Sequence, residues 1–299
     1  MGNNKLSQIF CVYLPLRKHK GLMNATNSYF SLNCNGLLVE LDCPKVMGIL
    51  NVTPDSFFSD SRKQTEDAVR ARVRQILEEG GTFIDVGAVS TRPGATMVER
   101  EEEMERLRFG LSVVRAEAPE AIVSVDTFRA DVAKMCVEEY GVAVINDISG
   151  GSLDGAMFKT IARLGVPYVL THMQSEATYE NLQREVFLFF AERIQHLYDL
   201  GAKDIILDPG FGFGKTLEHN YELMARLEDF KEFSLPILVG ISRKSMIYKT
   251  LDCTPEEALN GTTALHAVAL HKGAHILRVH DVKAALEVIK IHHSCSIFS

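Results

Sequence analysis

The sequence predicts an α/β fold in which a (β/α)8 barrel, or TIM barrel, follows an N-terminal β-hairpin. Eight short apolar runs recur along the chain, with helical patterns between them. The runs do not alternate polar and apolar residues, which is typical of parallel strands that are buried on both faces. Eight successive β–α units are the number that closes a barrel, and an open, doubly wound sheet is the alternative for such a series.

The elements follow one another in a regular order. A hairpin is predicted over residues 30–42, because Asn35–Gly36 is a typical pair for a two-residue turn, and it would cap the floor of the barrel. The predicted strands are 46–52, 83–88, 122–127, 142–147, 167–172, 205–210, 236–242 and 276–281. The predicted helices are 65–81, 97–117, 131–141, 156–165, 185–201, 220–230, 255–273 and 282–292.

Composition excludes several classes of protein. The chain has 299 residues, 46% of them hydrophobic, and a formal net charge of −7. No apolar window reaches the length of a membrane span and no basic cluster stands out beyond 17–20, so neither a membrane nor nucleic acid is an expected partner. The six cysteines form no C-x-x-C pair, which argues against a zinc or redox motif and favours a cytoplasmic location.

One domain is predicted, between two tails. Residues 1–29 are expected to form a flexible N-terminal tail, in which either Met1 or Met23 is the start of the protein. The apolar run 9–16 is short and its positive charges follow it, which does not fit a secretory signal. The barrel domain is expected over 30–292 and a short C-terminal tail over 293–299.

Polar side chains occur where nearly every predicted strand ends. Because a barrel gathers the carboxyl ends of its strands at one mouth, these side chains are expected to converge there. Converging carboxylates and amides with a lysine and an arginine suit a flat polar heterocycle that carries an anionic group. The residues are Asn51, Asp85, Asp126, Asn146, Asp147, His172, Asp208, Ser242, Arg243, Lys244, Arg278, His280 and Asp281.

Short motifs surround these residues along the chain. They are MGILNVTPDSF (47–57), IDVG (84–87), STRPGA (90–95), SVDT (124–127), IND (145–147), HMQ (172–174), DPGFGFGKT (208–216), LVGISRKSMI (238–247) and GAHILRVHDV (273–282). They cover about 40–282, and they strongly resemble the motifs of the dihydropteroate synthase family, in the same order.

The resemblance implies a transferase of folate biosynthesis, the class of enzyme that sulfonamides target. The family joins 6-hydroxymethyl-7,8-dihydropterin diphosphate to p-aminobenzoate and releases 7,8-dihydropteroate and diphosphate. It implies an SN1-like substitution in which diphosphate departs first from the exocyclic methylene. It also implies small-molecule partners, Mg²⁺ and a homodimer.

The resemblance assigns the pterin to four residues. Asp208 would be the main anchor, because an ionised carboxylate can accept two parallel N–H bonds from the pterin ring. Asn146 and Asp126 would meet other parts of the ring edge, and Lys244 would reach its carbonyl. Asp126, Lys244 and Arg278 are the implied catalytic residues.

The diphosphate and p-aminobenzoate are assigned to other residues. Arg278 and His280 would bind the diphosphate, and Asn51 would bind its Mg²⁺, an ion that keeps most of its waters and takes few protein ligands. Two loops complete the assignment. The anion residues are Asn51, Thr91, Arg92, Arg278 and His280; the p-aminobenzoate residues are Phe57, Thr91, Pro93 and Ser245.

Two segments depart from the family pattern. The usual Gly-Gly-Glu before STRPG reads Gly87–Ala88–Val89, and the first loop reads DSFFSDSRKQ instead of a glycine-rich form. GFGFGKT lacks the first glycine of a phosphate loop, so Lys215 is expected to be a surface or structural residue. The alternative functions are a pterin-binding methyltransferase-type protein, a lysine-dependent aldolase and a non-catalytic pterin-binding relative.

Overall fold

Eight parallel strands form one sheet in the computed structural model, which describes residues 30–52, 62–88 and 98–296. They follow a hairpin of two antiparallel strands, Ser31–Cys34 (β1) and Leu37–Glu40 (β2). The barrel strands are Lys45–Asn51 (β3), Phe83–Gly87 (β4), Ile122–Asp126 (β5), Val144–Asp147 (β6), Tyr168–Thr171 (β7), Ile205–Asp208 (β8), Leu238–Val239 (β9) and Ile276–Val279 (β10).

The order of the strands confirms the predicted barrel. The hydrogen-bonded order is β8-β7-β6-β5-β4-β3-β10-β9, so the first and last barrel strands of the chain are not the edges of the sheet. The two edges meet at a parallel bridge between Leu207 and Ile237, where the Leu207 N–H also donates to the Pro236 carbonyl over 2.8 Å. The sheet therefore closes on itself, which excludes the open, doubly wound alternative.

The helices surround the sheet and cover its outer face. Apolar side chains of the strands and helices form the larger hydrophobic core between these two layers. The described helices are Arg62–Glu78 (α1), Arg100–Glu117 (α2), Ala130–Tyr140 (α3), Met157–Leu164 (α4), Leu182–Asp199 (α5), Leu217–Ala225 (α6), Ser245–Leu251 (α7), Leu259–His271 (α8) and Val282–Ser296 (α9), with a 3₁₀ segment at Leu227–Phe233. None of these helices is both long and apolar enough to cross a membrane.

Several predicted helix boundaries are wrong. α1 begins at Arg62, three residues before the predicted start, and α6 begins after Thr216, which caps it together with His219. The predicted helix 255–273 corresponds to α8 alone, and the short α7 before it lacks the length that shows a period. α9 runs through Ser296 rather than ending at 292, and the Ser294 and Ser296 hydroxyls donate to carbonyls four residues earlier.

The hairpin closes the amino-terminal end of the barrel, as predicted. Its turn places Asn35 and Gly36 in the left-handed region, with φ of 55° and 88°. The hairpin side chains Leu32, Cys34, Val39 and Leu41 pack against the amino-terminal ends of the barrel strands. The Asn33 N–H also donates to Asp204 Oδ2 over 3.3 Å, which fixes the hairpin to the loop before β8.

Replacing Leu32 by alanine should destabilise the protein because Leu32 is 2% exposed within this floor. The expected loss in the free energy of unfolding is about 3 kcal/mol, the usual effect of emptying a buried leucine site. Leu38 is the matched control, since it lies in the same hairpin but is 62% exposed. Urea unfolding of L32A and L38A measures both effects, and an equal loss in the two variants would contradict the packing of the floor.

Candidate active site at the carboxyl ends of the strands

The side chains inside the barrel form an apolar layer with a polar layer above it. The apolar layer lies against the hairpin and includes Met47, Phe83, Val144, Val169, Ile206, Leu238 and Ile276. Because side chains of a strand alternate between its two faces, the residues two positions later point inward again. Those residues are Ile49, Asp85, Asn146, Thr171, Asp208, Gly240 and Arg278, so most of the second layer is polar.

Arg278 occupies the centre of this polar layer. Its Nε donates to Asp85 Oδ2 over 2.6 Å, and its Nη2 donates to Asp126 Oδ2 over 2.8 Å. The Asn146 amide donates to the same Asp85 oxygen over 3.1 Å. Arg278 and Asn146 therefore meet at Asp85, for which the sequence predicted a place at a strand end but no role, and Asp126 joins them through Arg278.

Burial and the neighbouring charges together shift the pKa values of Asp126 and Arg278. Burial raises the pKa of Asp126 to about 7, with Arg278 opposing the rise and Asp85 adding to it. Burial alone would lower the pKa of Arg278, but the negative charges of Asp85 and Asp126 outweigh it and raise the pKa. When both carboxylates are ionised, they exceed the guanidinium by one charge. Such a centre favours positive charge that develops beside it.

Asp208 is the last residue of β8 and is 6% exposed. The N–H of Gly210 donates to its Oδ1 over 2.8 Å, which fixes the orientation of the carboxylate. Its Oδ2 lies 3.8 Å from the position that a Cβ would take at Gly240, so the missing side chain leaves space beside that oxygen. Burial raises the pKa of Asp208, and the positive charge of Lys244 opposes this effect.

Lys244 lies just before α7 and directs its ammonium into the same mouth. Nζ donates to the Phe211 carbonyl over 2.5 Å and lies 4.6 Å from the centre of the Phe213 ring. Burial lowers the pKa of Lys244 to about 8, and the negative charge of Asp208 partly offsets that effect. An ammonium donor and a carboxylate acceptor are therefore present side by side, as a ring with both kinds of group requires.

His280 follows β10 and is bound to Ser242 by two hydrogen bonds. The His280 N–H donates to Ser242 Oγ over 3.2 Å, and Oγ lies 3.0 Å from Nδ1 of the same histidine. Burial lowers the pKa of His280 to about 4, so its ring is neutral at pH 7. We assign the Ser242 O–H as the donor and Nδ1 as the acceptor, because that hydroxyl proton has no other acceptor among the described residues. Nε2 then carries the ring proton.

Arg72 of α1 joins the two strands that carry Asn51 and His280. Its Nη2 donates to the His280 carbonyl over 2.6 Å and its Nε to the Ile49 carbonyl over 3.1 Å. Asn51 itself is the exposed last residue of β3, and its Oδ1 lies 3.5 Å from the position of a Cβ at Gly87. The predicted metal residue therefore lies at the mouth, beside the strand that carries Asp85.

The remaining predicted residues fall into two groups. Ser245 is the partly buried first residue of α7, next to Lys244. Arg243, one of the predicted strand-end residues, forms two hydrogen bonds with Asp281, at 2.9 and 2.6 Å. Phe57, Thr91, Arg92 and Pro93 lie outside the described residues.

Comparison with known proteins agrees with this geometry. The profile of the pterin-binding enzyme family matches residues 47–280. The dihydropteroate synthase of Escherichia coli K12 is 44% identical over 273 residues, which cover 87% of this chain and 94% of that protein.

Solved structures give the same result. The dihydropteroate synthase of Xanthomonas albilineans with 4-aminobenzoic acid superimposes with a TM-score of 0.83 at 37% identity and covers 89% of this chain and 98% of its own. The Yersinia pestis enzyme in complex with a sulfonamide drug has a TM-score of 0.81 at 38% identity and covers 90% of this chain and 100% of its own. The chain therefore belongs to the dihydropteroate synthase family of pterin-binding enzymes.

Proposed function

We propose that the chain condenses 6-hydroxymethyl-7,8-dihydropterin diphosphate with p-aminobenzoate, giving 7,8-dihydropteroate and diphosphate. The observation that carries the proposal is the position of Asp208 in the same mouth as Lys244 and the Arg278 cluster. One part of that mouth can bind a flat ring with paired donors, and the other can bind an anion. The similar proteins of Escherichia coli and Xanthomonas albilineans are named for this reaction, and the second has the same barrel.

The pterin ring is proposed to lie against Asp208. Gly210 holds one oxygen of that carboxylate, and the carboxylate edge then accepts the two parallel N–H groups of the pterin. The Lys244 ammonium donates to the pterin carbonyl, where a carboxylate would repel it. Asn146 uses its amide N–H on Asp85, which leaves its carbonyl oxygen for a ring N–H.

The diphosphate is proposed to leave toward Arg278 and His280. Two nitrogens of Arg278 are bound to carboxylates, and its Nη1 has no hydrogen bond within the described part of the chain. The neutral His280 ring is proposed to offer its Nε2 proton as a further donor. These are fixed donors that need no reorganisation when charge builds up on the leaving group.

The carbon–oxygen bond to diphosphate breaks before the new carbon–nitrogen bond forms. The exocyclic methylene then shares its positive charge with the electron-rich pterin, and Asp126 stabilises that charge. The amine of p-aminobenzoate is a weak base that is neutral at pH 7, so it attacks without a strong general base. The proton that its nitrogen loses after the attack passes to the departed diphosphate or to water. Ser245 and the loop residues Phe57, Thr91 and Pro93 are proposed to hold p-aminobenzoate, and Thr91 and Arg92 to approach the anion.

Mg²⁺ is proposed to arrive with the diphosphate rather than in a site of its own. The described residues contain no group of three or more His, Cys, Asp or Glu side chains that could hold a metal. Asp85 and Asp126 are bound to Arg278, so the amide oxygen of Asn51 is the available ligand at that edge. This donor set fits an ion that keeps substrate oxygens and water as its other ligands. When bound, Mg²⁺ would neutralise charge on the leaving diphosphate.

The proposed function is tested by mixing the purified protein with Mg²⁺ and the pterin diphosphate, with and without p-aminobenzoate. Dihydropteroate identified by mass should form only when both substrates are present. D208N is the matched control: its amide cannot accept both ring N–H groups, so kcat/KM should fall about a hundredfold. Pterin binding without product would instead indicate a binding or methyltransferase-type relative, and no pterin binding would exclude the site assignment.

Removal of Mg²⁺ with a chelator should abolish turnover. In N51A, the Mg²⁺ concentration for half-maximal rate should rise about tenfold, because an amide ligand of the ion is lost. Binding of 6-hydroxymethyl-7,8-dihydropterin, which has no diphosphate, should not change in this variant. Unaltered Mg²⁺ dependence in N51A would refute the role of Asn51.

The rate should fall as the pH rises through about 8. The lowered pKa of Lys244 means that its ammonium is charged below about pH 8 and neutral above it, so donation to the pterin carbonyl weakens there. K244R stays charged over this range and should lack the fall, although its absolute kcat/KM is lower. The measurement is kcat/KM against pH, and an equal fall in K244R would assign it to another group.

A cytoplasmic homodimer completes the proposal. Three neighbouring helices, α7, α8 and α9, expose the apolar residues Leu251, Leu259, Val268 and Ile291. Such a surface is typical of a protein interface. Light scattering should give about twice the chain mass of 33.3 kDa.

A further inference from the structure

An ammonium group that has no carboxylate hydrogen-bond partner among the described residues lies behind Asp208. Lys215, in the loop after β8, brings its Nζ to 2.8 Å from the Gly210 carbonyl and 3.1 Å from the Phe213 carbonyl. It also lies 3.2 Å from the carbonyl and 2.9 Å from Nδ1 of His172, at the end of β7. No step of the proposed reaction uses this lysine.

His172 can only accept a hydrogen bond from that ammonium. The ring is 2% exposed, and burial together with the positive charges of Lys215 and Arg193 lowers its pKa to about 3. It is therefore neutral at every pH at which the protein would work. The Lys215 ammonium is thus surrounded by uncharged acceptors, and the charge that it can compensate belongs to a group further away.

Asp208 is that group, and the backbone of Gly210 connects the two. Lys215 donates to the Gly210 carbonyl, and the Gly210 N–H donates to Asp208 Oδ1. Gly210 has a φ of 73°, and a Cβ there would lie 1.9 Å from the His172 carbonyl oxygen. The loop therefore has little freedom to move while Lys215 holds it, and the orientation of the carboxylate depends on that loop.

The count of charges also points to Lys215. The carboxylates of this centre are Asp85, Asp126 and Asp208, and the cations that interact with them are Arg278, Lys244 and Lys215. With all three carboxylates ionised, the described centre would carry one more negative charge than positive if Lys215 were absent. In a buried site of low dielectric, such an excess favours protonation of a carboxylate.

We propose that Lys215 is a positioning residue for the reaction. It holds the Gly210 backbone against Asp208 and keeps that carboxylate ionised for the pterin. The proposal rests on the proposed pterin chemistry of Asp208. Lys215 touches neither the ring nor the reacting carbon. Its effect is exerted through the loop and through its charge.

The sign of the effect follows from the charges around Asp208. Burial raises the pKa of Asp208, whereas Lys244, Arg278 and Lys215 lower it. Burial lowers the pKa of Lys215 to about 7, with Asp208 opposing and Lys244 adding to that effect. Lys215 is therefore charged in the acid range, where Asp208 would otherwise take up a proton. Removal of its charge should raise the pKa of Asp208 and weaken pterin binding at acid pH first.

The test measures the dissociation constant of 6-hydroxymethyl-7,8-dihydropterin against pH, by calorimetry, for the wild type and four variants. K215M and K215Q remove the charge, and K215Q keeps an amide that can donate to the loop carbonyls. K215R keeps the charge. K159M replaces an exposed lysine of α4 and controls for the loss of one surface charge. Thermal unfolding at pH 8 reports whether each variant is folded.

In the neutral variants, the acid midpoint of binding should move up by about one pH unit, equivalent to about tenfold weaker binding at pH values below both midpoints. K215R and K159M should keep the wild-type midpoint. A purely structural role would lower the melting temperature without moving the midpoint, which would overturn the proposal. A rise of about one pH unit in the midpoint of K215R, which keeps the charge, would also overturn the proposal, and this result can be read even where K215M and K215Q do not fold. Absence of pterin binding in the wild type would instead overturn the proposed function.

Discussion

One guanidinium shared by two carboxylates is the interaction on which the candidate site depends. Asp85 and Arg278 lie on β4 and β10, which are not neighbours in the sheet because β3 lies between them. Their hydrogen bond therefore crosses the interior of the barrel, and the bond to Asp126 extends it to β5. Removing one partner of a buried ion pair costs about 3–5 kcal/mol, since the remaining charge is left uncompensated. The same contacts that align three strands also fix the donors of the mouth.

The apolar floor makes this polar layer possible. The hairpin and the inner ends of the strands fill the amino-terminal half of the barrel with packed side chains, of which Met47 and Phe83 are fully buried. Water is excluded from below, so the charges above act in a medium of low dielectric, where each interaction is stronger than in water. Opposite charges offset each other's loss of solvation. The neutral rings of His172 and His280 add acceptors and donors without adding charge.

Much of the fold could be predicted from the sequence because a barrel repeats one unit eight times. Apolar runs predict strands and the Asn35–Gly36 pair predicts a turn, and the tertiary structure agrees with both local preferences. The start of α1 and the extent of α9 could not be predicted, because side-chain-to-backbone bonds and packing decide where a helix frays. The residues of the site were predicted from their places at strand ends, whereas the hydrogen bonds that connect them were not. Asp85 is an inward residue by the period of two from Phe83, which is a signal the sequence did contain. The contacts of Lys215 and of Ser242 with distant histidines had no such signal.

The closed floor has a consequence for how substrates enter and how product leaves in the proposed reaction. With the hairpin packed under the strands, the interior of the barrel communicates with solvent through its upper mouth. Asp208 lies one layer above that floor, and Ser245 begins a helix outside the strands. In the proposed reaction, the pterin at Asp208 would bind below p-aminobenzoate and share its entrance, so the pterin would have to enter first. The joined product must then depart by the route on which the second substrate arrived.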